Sequence, residues 1–205
     1  MQQKLESMLQ YIVSESDANK MISIACEAIE NGCRWIRLDI SKLASNEAHE
    51  AILAIIEKGE PSEVILSLEN DLEAATRMKV SGIHFDSSKI SFLVESRKAL
   101  GEETIMGFSV ENPSQVPFLP RTAIDYITTE GKDLDNCRKI VQQMRALNLN
   151  EPVVATYTPS VSLSELMSTG IDGIVADNLT TPPSSLKSLI EDITAIIEQR
   201  LNSIK

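Results

Sequence analysis

The stretch Val64-Ile-Leu-Ser-Leu-Glu-Asn-Asp-Leu-Glu-Ala-Ala-Thr-Arg-Met-Lys-Val-Ser-Gly-Ile-His-Phe85 decides the fold. Val64 to Leu68 is a short apolar run of β-forming residues, and Gly82-Ile-His-Phe85 is a second. Between them Leu72, Ala75 and Thr76 fall on one face of a short helix. Near-continuous apolar runs bounded by turn formers read as parallel strands covered on both faces, and the helix between them is the crossover that parallel pairing requires.

The same unit recurs in both directions along the chain. Upstream lie Tyr11-Ile-Val-Ser14 and Trp35-Ile-Arg-Leu-Asp-Ile40. Downstream lie Thr104-Ile-Met-Gly-Phe-Ser109, Ile124-Asp-Tyr-Ile-Thr128, Pro152-Val-Val-Ala-Thr-Tyr157 and Gly173-Ile-Val-Ala176. Helical periodicity fills the intervals. Met21, Ala25, Ala28 and Ile29 share a face that stops at Asn31-Gly32, and Ala48, Ile52, Ile55 and Ile56 repeat it up to Gly59. Ile90, Leu93, Val94, Arg97 and Leu100 predict a helix ending at Gly101. Leu134 to Leu147 and Leu163 to Thr169 follow, the second ending at Gly170. The last helix carries Leu186, Leu189, Ile190, Ile193, Ile196, Ile197 and Leu201 on one stripe. Between Asn112 and Pro120 three prolines allow only a turn or two of helix. Eight units in 205 residues average about 26 each, near the short limit of an α/β (β/α)8 TIM barrel. A doubly wound sheet wants fewer strands and a glycine-rich first turn, whereas Glu15-Ser16-Asp17-Ala18 follows the first strand. Residues 1–205 show no linker or shift of composition and read as one domain.

Composition narrows the partners. Nineteen Lys and Arg against thirty Asp and Glu give a net charge of −11. That balance disfavours nucleic acid and anionic membrane surfaces. No apolar run reaches the length of a spanning helix, and Met1 to Gln10 lacks a leader-type apolar stretch, so a cytoplasmic location is expected. Cys26, Cys33 and Cys137 fit neither a disulfide framework nor a zinc spacing and read as buried thiols. A small-molecule ligand is the expected partner, with a homodimer left open.

In such barrels the chemistry sits at the carboxyl ends of the strands. The expected mouth holds Ser14, Glu15, Asp39, Ser41, Lys42, Glu69, Asn70, Asp86, Ser87, Ser109 and Glu111. It continues with Thr128, Thr129, Glu130, Tyr157, Thr158, Asp177 and Asn178. Seven of these are carboxylates, with Lys42 and Lys132 nearby. Clustered carboxylates bind hard cations or form an acid/base pair; equally they serve as loop residues and helix caps. His84 and Asp86, two apart in one strand, share a face on which an aspartate could orient an imidazole. Arg37 and Asp39 have the same spacing and could pair with each other, a structural pairing that would neutralise a buried guanidinium.

Several segments resemble the thiamine phosphate synthase family and its thiazole tautomerase relatives, over most of the chain. Ala28-Ile-Glu-Asn-Gly-Cys-Arg-Trp-Ile-Arg-Leu38 is similar to the family's Ala…Gly…Gln-Leu-Arg segment. Asn70-Asp-Leu-Glu-Ala-Ala75 with Ser81-Gly-Ile-His-Phe85 is similar to Asn-Asp…Leu-Ala…Gly-Val-His-Leu. Ile105-Met-Gly-Phe-Ser-Val-Glu111, Ile124-Asp-Tyr-Ile127 and Thr169-Gly-Ile-Asp-Gly-Ile-Val175 resemble later segments. The resemblance implies a compact (β/α)8 barrel. It implies a transferase of thiamine biosynthesis that joins a hydroxymethylpyrimidine diphosphate to a thiazole phosphate, with Mg2+ assisting the loss of pyrophosphate.

Carried over residue by residue, the family's pyrimidine-diphosphate contacts fall on Arg37, Asp39 and Ser41, with Lys42 adjacent. The Asn-Asp pair with its Mg2+ acid falls on Glu69-Asn70, and the second Mg2+ acid falls on Lys89. Glu69, Asn70 and Asp86 are thus the candidate metal ligands. The serine after strand 5 is Ser109, and Glu111 stands where the tautomerase has histidine. Thr128-Thr-Glu-Gly-Lys132 echoes the segment after strand 6, making Lys132 a third catalytic candidate beside Ser109 and Glu111. The Gly-Gly phosphate turn is Tyr157-Thr158, and the Ser-Ala phosphate site is Asp177-Asn178. Substrate contacts are therefore expected from Arg37, Asp39, Lys42, His84, Thr128, Tyr157 and Asp177. Phosphate turns need backbone N–H groups that can be approached closely, and side chains or a carboxylate there oppose that. The site reads as diverged. Three functions stay open: the family reaction, a non-catalytic barrel binding a small molecule or protein, and an isomerase or lyase with Glu111 as base.

Overall fold

The computed structural model describes residues 9–203. The segment Met1 to Met8, read above as free of a leader-type stretch, lies outside the described residues. Eight parallel strands close into a barrel in chain order. They are β1 (Leu9–Ser14), β2 (Trp35–Asp39), β3 (Ile65–Glu69), β4 (Gly82–Phe85), β5 (Ile105–Ser109), β6 (Tyr126–Thr129), β7 (Val153–Thr156) and β8 (Gly173–Asp177), with β8 pairing back onto β1. The helices are α1 (Ala18–Glu30), α2 (Ser45–Gly59), α3 (Leu72–Met78), α4 (Leu93–Leu100), α5 (Leu134–Ala146), α6 (Leu163–Ser168) and α7 (Leu186–Ser203). After β5 the proline-rich segment makes only a 3-10 stretch, Pro113–Phe118, as its sequence predicts.

Period-two alternation sorts each strand between two cores. One set of residues packs outward against the helices, including Tyr11, Val13, Ile36, Leu38, Leu66, Leu68, Ile83, Phe85 and Phe108. The other fills the barrel: Trp35, Ile65, Ile105, Tyr126, Val154 and Val175, with Ile12 against them. Trp35 meets Tyr126 edge to face, their ring centroids 4.8 Å apart.

Some of the chain's acidic residues cap helices. Asp17, Asp71 and Asp133 each cap a helix, accepting from Lys20, Ala74 and Asn136 N–H groups at 2.9, 2.8 and 2.9 Å. Gly32, Gly101 and Gly170 end helices with φ of 94°, 80° and 94°.

As the sequence predicts, α2 ends at Gly59; Glu60–Ser62 follows as a 3-10 turn, and Glu63 takes the positive φ. Other expectations are corrected. Val94 is exposed while Leu93, Ser96 and Arg97 are buried, so the stripe of α4 runs through Ser96 rather than Val94; the helix begins at Leu93, after the 3-10 segment Ser87–Phe92. Cys33 and Cys137 are buried, but Cys26 is partly exposed; all three are free thiols. The side chain of Leu201 lies outside the described set. No helix among the described residues is long and apolar enough to cross a membrane.

Candidate functional site

Sheet register explains which side chains meet inside the barrel. Glu69 pairs in register with His84, His84 with Gly107, and Gly107 with Tyr126. Gly107 has no side chain, so His84 and Tyr126 close over it; a Cβ there would strike the phenol ring, its hydroxyl and His84 Nδ1. His84 Nδ1 lies 3.0 Å from the Tyr126 hydroxyl. His84 Nε2 lies 2.9 Å from Ser109 Oγ and 3.2 Å from Thr128 Oγ1. Ser109 and Thr128, themselves in register, place their hydroxyls 3.0 Å apart. Burial, and then the nearby Arg37 charge, hold the His84 imidazole well below its ordinary pKa, so it is neutral. His84 is a fully hydrogen-bonded interior histidine, and the His84–Asp86 pair that the spacing allows does not form. Asp86 leaves the strand and caps the next turn, accepting from Ser88 N–H at 2.9 Å and from the Ser88 hydroxyl.

Among the described residues Arg37 is the buried cation on an inward strand face, with its side chain 6% exposed. It does not pair with Asp39. Its Nε lies 2.9 Å from Glu69 Oε2, an ion pair not aligned as a hydrogen bond, and its Nη1 donates to Gln10 Oε1 at 2.8 Å. The register sets Arg37 beside Ser67, so the long arginine reaches Glu69 one layer nearer the mouth. Burial raises the Glu69 carboxyl above its ordinary range despite the opposing Arg37 charge, with Asp39 and Asp86 adding to the rise. Gln10 Nε2 in turn donates to the Tyr126 hydroxyl at 3.0 Å. Burial pushes that phenol up to about 12. Sequence reading missed Gln10 and Tyr126 as site residues; the available signal was their inward parity, Gln10 two residues before Ile12 and Tyr126 two before Thr128.

Above this layer the mouth is knitted together. Ser14 Oγ donates to Asp39 Oδ2 at 2.8 Å and accepts from the exposed Lys42 Nζ at 2.9 Å, while Ser41 donates to Asp39 Oδ1 through N–H and hydroxyl at 3.1 and 2.6 Å. Burial alone would raise the Asp39 carboxyl, but these hydrogen bonds and the Lys42 charge hold it below its ordinary range. Glu15 accepts from Asn178 Nδ2 at 2.7 Å, and Asn178 Oδ1 accepts from Ser14 N–H at 2.9 Å. Asp177 Oδ1 takes the N–H groups of Leu179 and Thr180, both at 2.9 Å, and the Thr180 hydroxyl at 3.2 Å. Glu111 is exposed and accepts from the Ser87 hydroxyl. Lys132 is exposed, 3.6 Å from Glu130. Tyr157 is half-buried, its ring against the helix-facing core.

The residues present do not fit the Mg2+ that the family resemblance implies. Glu69 is paired with Arg37, Asn70 Oδ1 accepts from Asp86 N–H at 2.9 Å, and Asp86 caps its own turn. Lys89, in the place of the second acid, points its ammonium over the Phe92 ring at 5.8 Å. Among the described residues no three His, Cys, Asp or Glu side chains are grouped to hold a metal ion.

Comparison with known proteins places the scaffold. A family model described as thiamine monophosphate synthase matches residues 9–132, from β1 through the loop after β6. The thiamine-phosphate synthase of Bacteroides thetaiotaomicron is 27% identical over 180 residues, 81% of this chain and 86% of that protein. The one from Pyrococcus abyssi is 20% identical over 204 residues, 96% of this chain and 98% of its own. Among solved structures, a thiamine phosphate pyrophosphorylase from Pyrococcus furiosus shares the fold with a TM-score of 0.74 at 17% identity, over 93% of this chain and 98% of that one. The family match covers more than half of the sequence, and the chain belongs to the thiamine monophosphate synthase family.

Proposed function

We propose that this barrel has given up the family's diphosphate condensation and holds a small neutral or cationic molecule at its acidic mouth. The observation that carries this reading is the state of Arg37. The buried cation in the barrel is closed on Glu69 and Gln10, at a position where the family contacts the pyrimidine diphosphate. A diphosphate entering the mouth would meet Glu69, Asp39 and Asp86 without a free buried cation to offset them. Two like unit charges 4 Å apart repel by about 4 kcal/mol at an effective dielectric of 20. Asp177 supports the same reading. Its carboxylate already holds the backbone N–H groups after β8 that an anion would need. Asp39, ionised and half-buried, is the group best placed to attract a cation.

Thermal unfolding with four probes tests this: thiamine, which is a cation; the thiazole alcohol; the thiazole phosphate; and hydroxymethylpyrimidine diphosphate with Mg2+. A ligand at 100 times its Kd stabilises the native state by about 2.7 kcal/mol. The expected result is a rise in Tm with thiamine or the alcohol, lost in Asp39→Asn, and no rise with either phosphate. A rise with a phosphate probe that the alcohol does not reproduce overturns the proposal.

A further inference from the structure

The buried polar chain from Arg37 to Ser109 has a direction, and that direction assigns protons. Arg37 is a donor only, so its Nη1 at 2.8 Å fixes Gln10 with its carbonyl oxygen toward the guanidinium and its NH2 toward Tyr126. The Tyr126 oxygen, fully buried, therefore accepts from Gln10 Nε2 at 3.0 Å. Its own hydrogen needs an acceptor, and the acceptor beside it is His84 Nδ1, also at 3.0 Å. A neutral imidazole that accepts at Nδ1 carries its hydrogen on Nε2. That hydrogen points at Ser109 Oγ, 2.9 Å away, with Thr128 Oγ1 at 3.2 Å. Thr128 is buried at 4% exposure and has Ser109 Oγ, 3.0 Å away, as the acceptor for its hydroxyl. Ser109 then accepts twice, and its own hydrogen is left facing the mouth.

We propose that Arg37, Gln10 and Tyr126 are positioning residues that lock His84 in its Nε2–H tautomer, and that this makes Ser109 an obligate hydrogen-bond donor toward the ligand. With both lone pairs of Ser109 Oγ occupied in this arrangement, the neutral hydroxyl has no place to accept a hydrogen bond from the ligand. The subsite takes an acceptor atom, such as a ring nitrogen or a carbonyl oxygen, and refuses an N–H or ammonium at that point. Only the ligand's overall charge rests on the function proposed above; the tautomer does not. Gly107 is part of the device, since the Tyr126–His84 contact passes over it.

The test is two-bond 1H–15N NMR of the ligand-free protein labelled with 15N-histidine at pH 7. His49, the other histidine, is identified by loss of its signals in His49→Gln. The expected pattern is an Nε2–H tautomer for His84. In Tyr126→Phe the His84 Nδ1 resonance moves toward the value of a free, non-hydrogen-bonded ring nitrogen. An Nδ1–H or averaged pattern in the parent protein overturns the proposal, as does an unmoved Nδ1 shift in Y126F. If Y126F does not fold, the parent spectrum decides alone. Because no ligand is present, failure here is distinct from failure of the binding reading.

Discussion

Arg37 ties the barrel interior together through two partners that lie on different strands. Removing it strands the half-buried Glu69 carboxylate and leaves the Gln10 carbonyl oxygen without its donor. Loss of one partner from a buried ion pair is far more damaging than loss of both. Arg37→Ala is expected to lower the unfolding free energy by about 3 kcal/mol, and the double change Arg37→Met with Glu69→Met to cost less than half of that, as read by urea unfolding. At this scale the sequence was only partly legible. Parity correctly put Arg37 with Asp39, and His84, on inward faces, whereas Asp86 lies past the end of its strand. It could not supply partners, because these are set by register between strands. Glu69 reaches Arg37 from β3, and Tyr126 reaches His84 across Gly107. Asp86 and Asp177 then turn out to serve their own loops, as short acidic side chains do at chain turns.

At the scale of elements, two anchor motifs of the family resemblance have a structural explanation. Asp125, from Ile124-Asp-Tyr-Ile127, accepts from Met106 N–H at 2.7 Å and pairs with Arg97 at 2.5 Å. Arg97 also donates to the carbonyls of Gly101, Thr104 and Ala123. Asp172, from Thr169-Gly-Ile-Asp-Gly-Ile-Val175, repeats the arrangement: it accepts from Val153 N–H at 2.8 Å and pairs with Arg145 at 3.1 Å. Each aspartate seats the start of the preceding strand beside the helix that precedes it, away from the mouth. The clamps differ in burial: the Arg97 and Asp125 side chains are 8% and 17% exposed, against 38% and 37% for Arg145 and Asp172. Asp125→Ala should therefore cost about 3 kcal/mol and Asp172→Ala about 1, measured by equilibrium unfolding. Equal losses would contradict the dependence on burial. Helix ends were readable where glycine adopts positive φ, at Gly32, Gly101 and Gly170. The end of α2 at Gly59 was readable too, but not the 3-10 turn Glu60-Pro61-Ser62 that follows it, whose reversal falls on Glu63, a residue type with no turn signature.

For the whole molecule, alternation of β-rich runs with helical segments gave parallel strands, and their number together with the glycine-free first turn separated the barrel from a doubly wound sheet; the strands close in chain order. The family followed from segments that set the scaffold: the Asn31-Gly32 turn, the inward His84 and the two clamp aspartates. Those segments set strands and turns and say little about the reaction. The acidic residues behind the net charge of −11 include helix caps such as Asp17, Asp71 and Asp133, exposed helix-face residues such as Glu73 and Glu95, and a group at the mouth, where Arg37 is paired with Glu69. The central claim, that the scaffold persists without the family's condensation, is tested most directly by incubating the full chain with thiazole phosphate, hydroxymethylpyrimidine diphosphate and Mg2+ and measuring thiamine phosphate. The account predicts no product above the protein-free background at any protein concentration. Thiamine phosphate accumulating in proportion to added protein would contradict it.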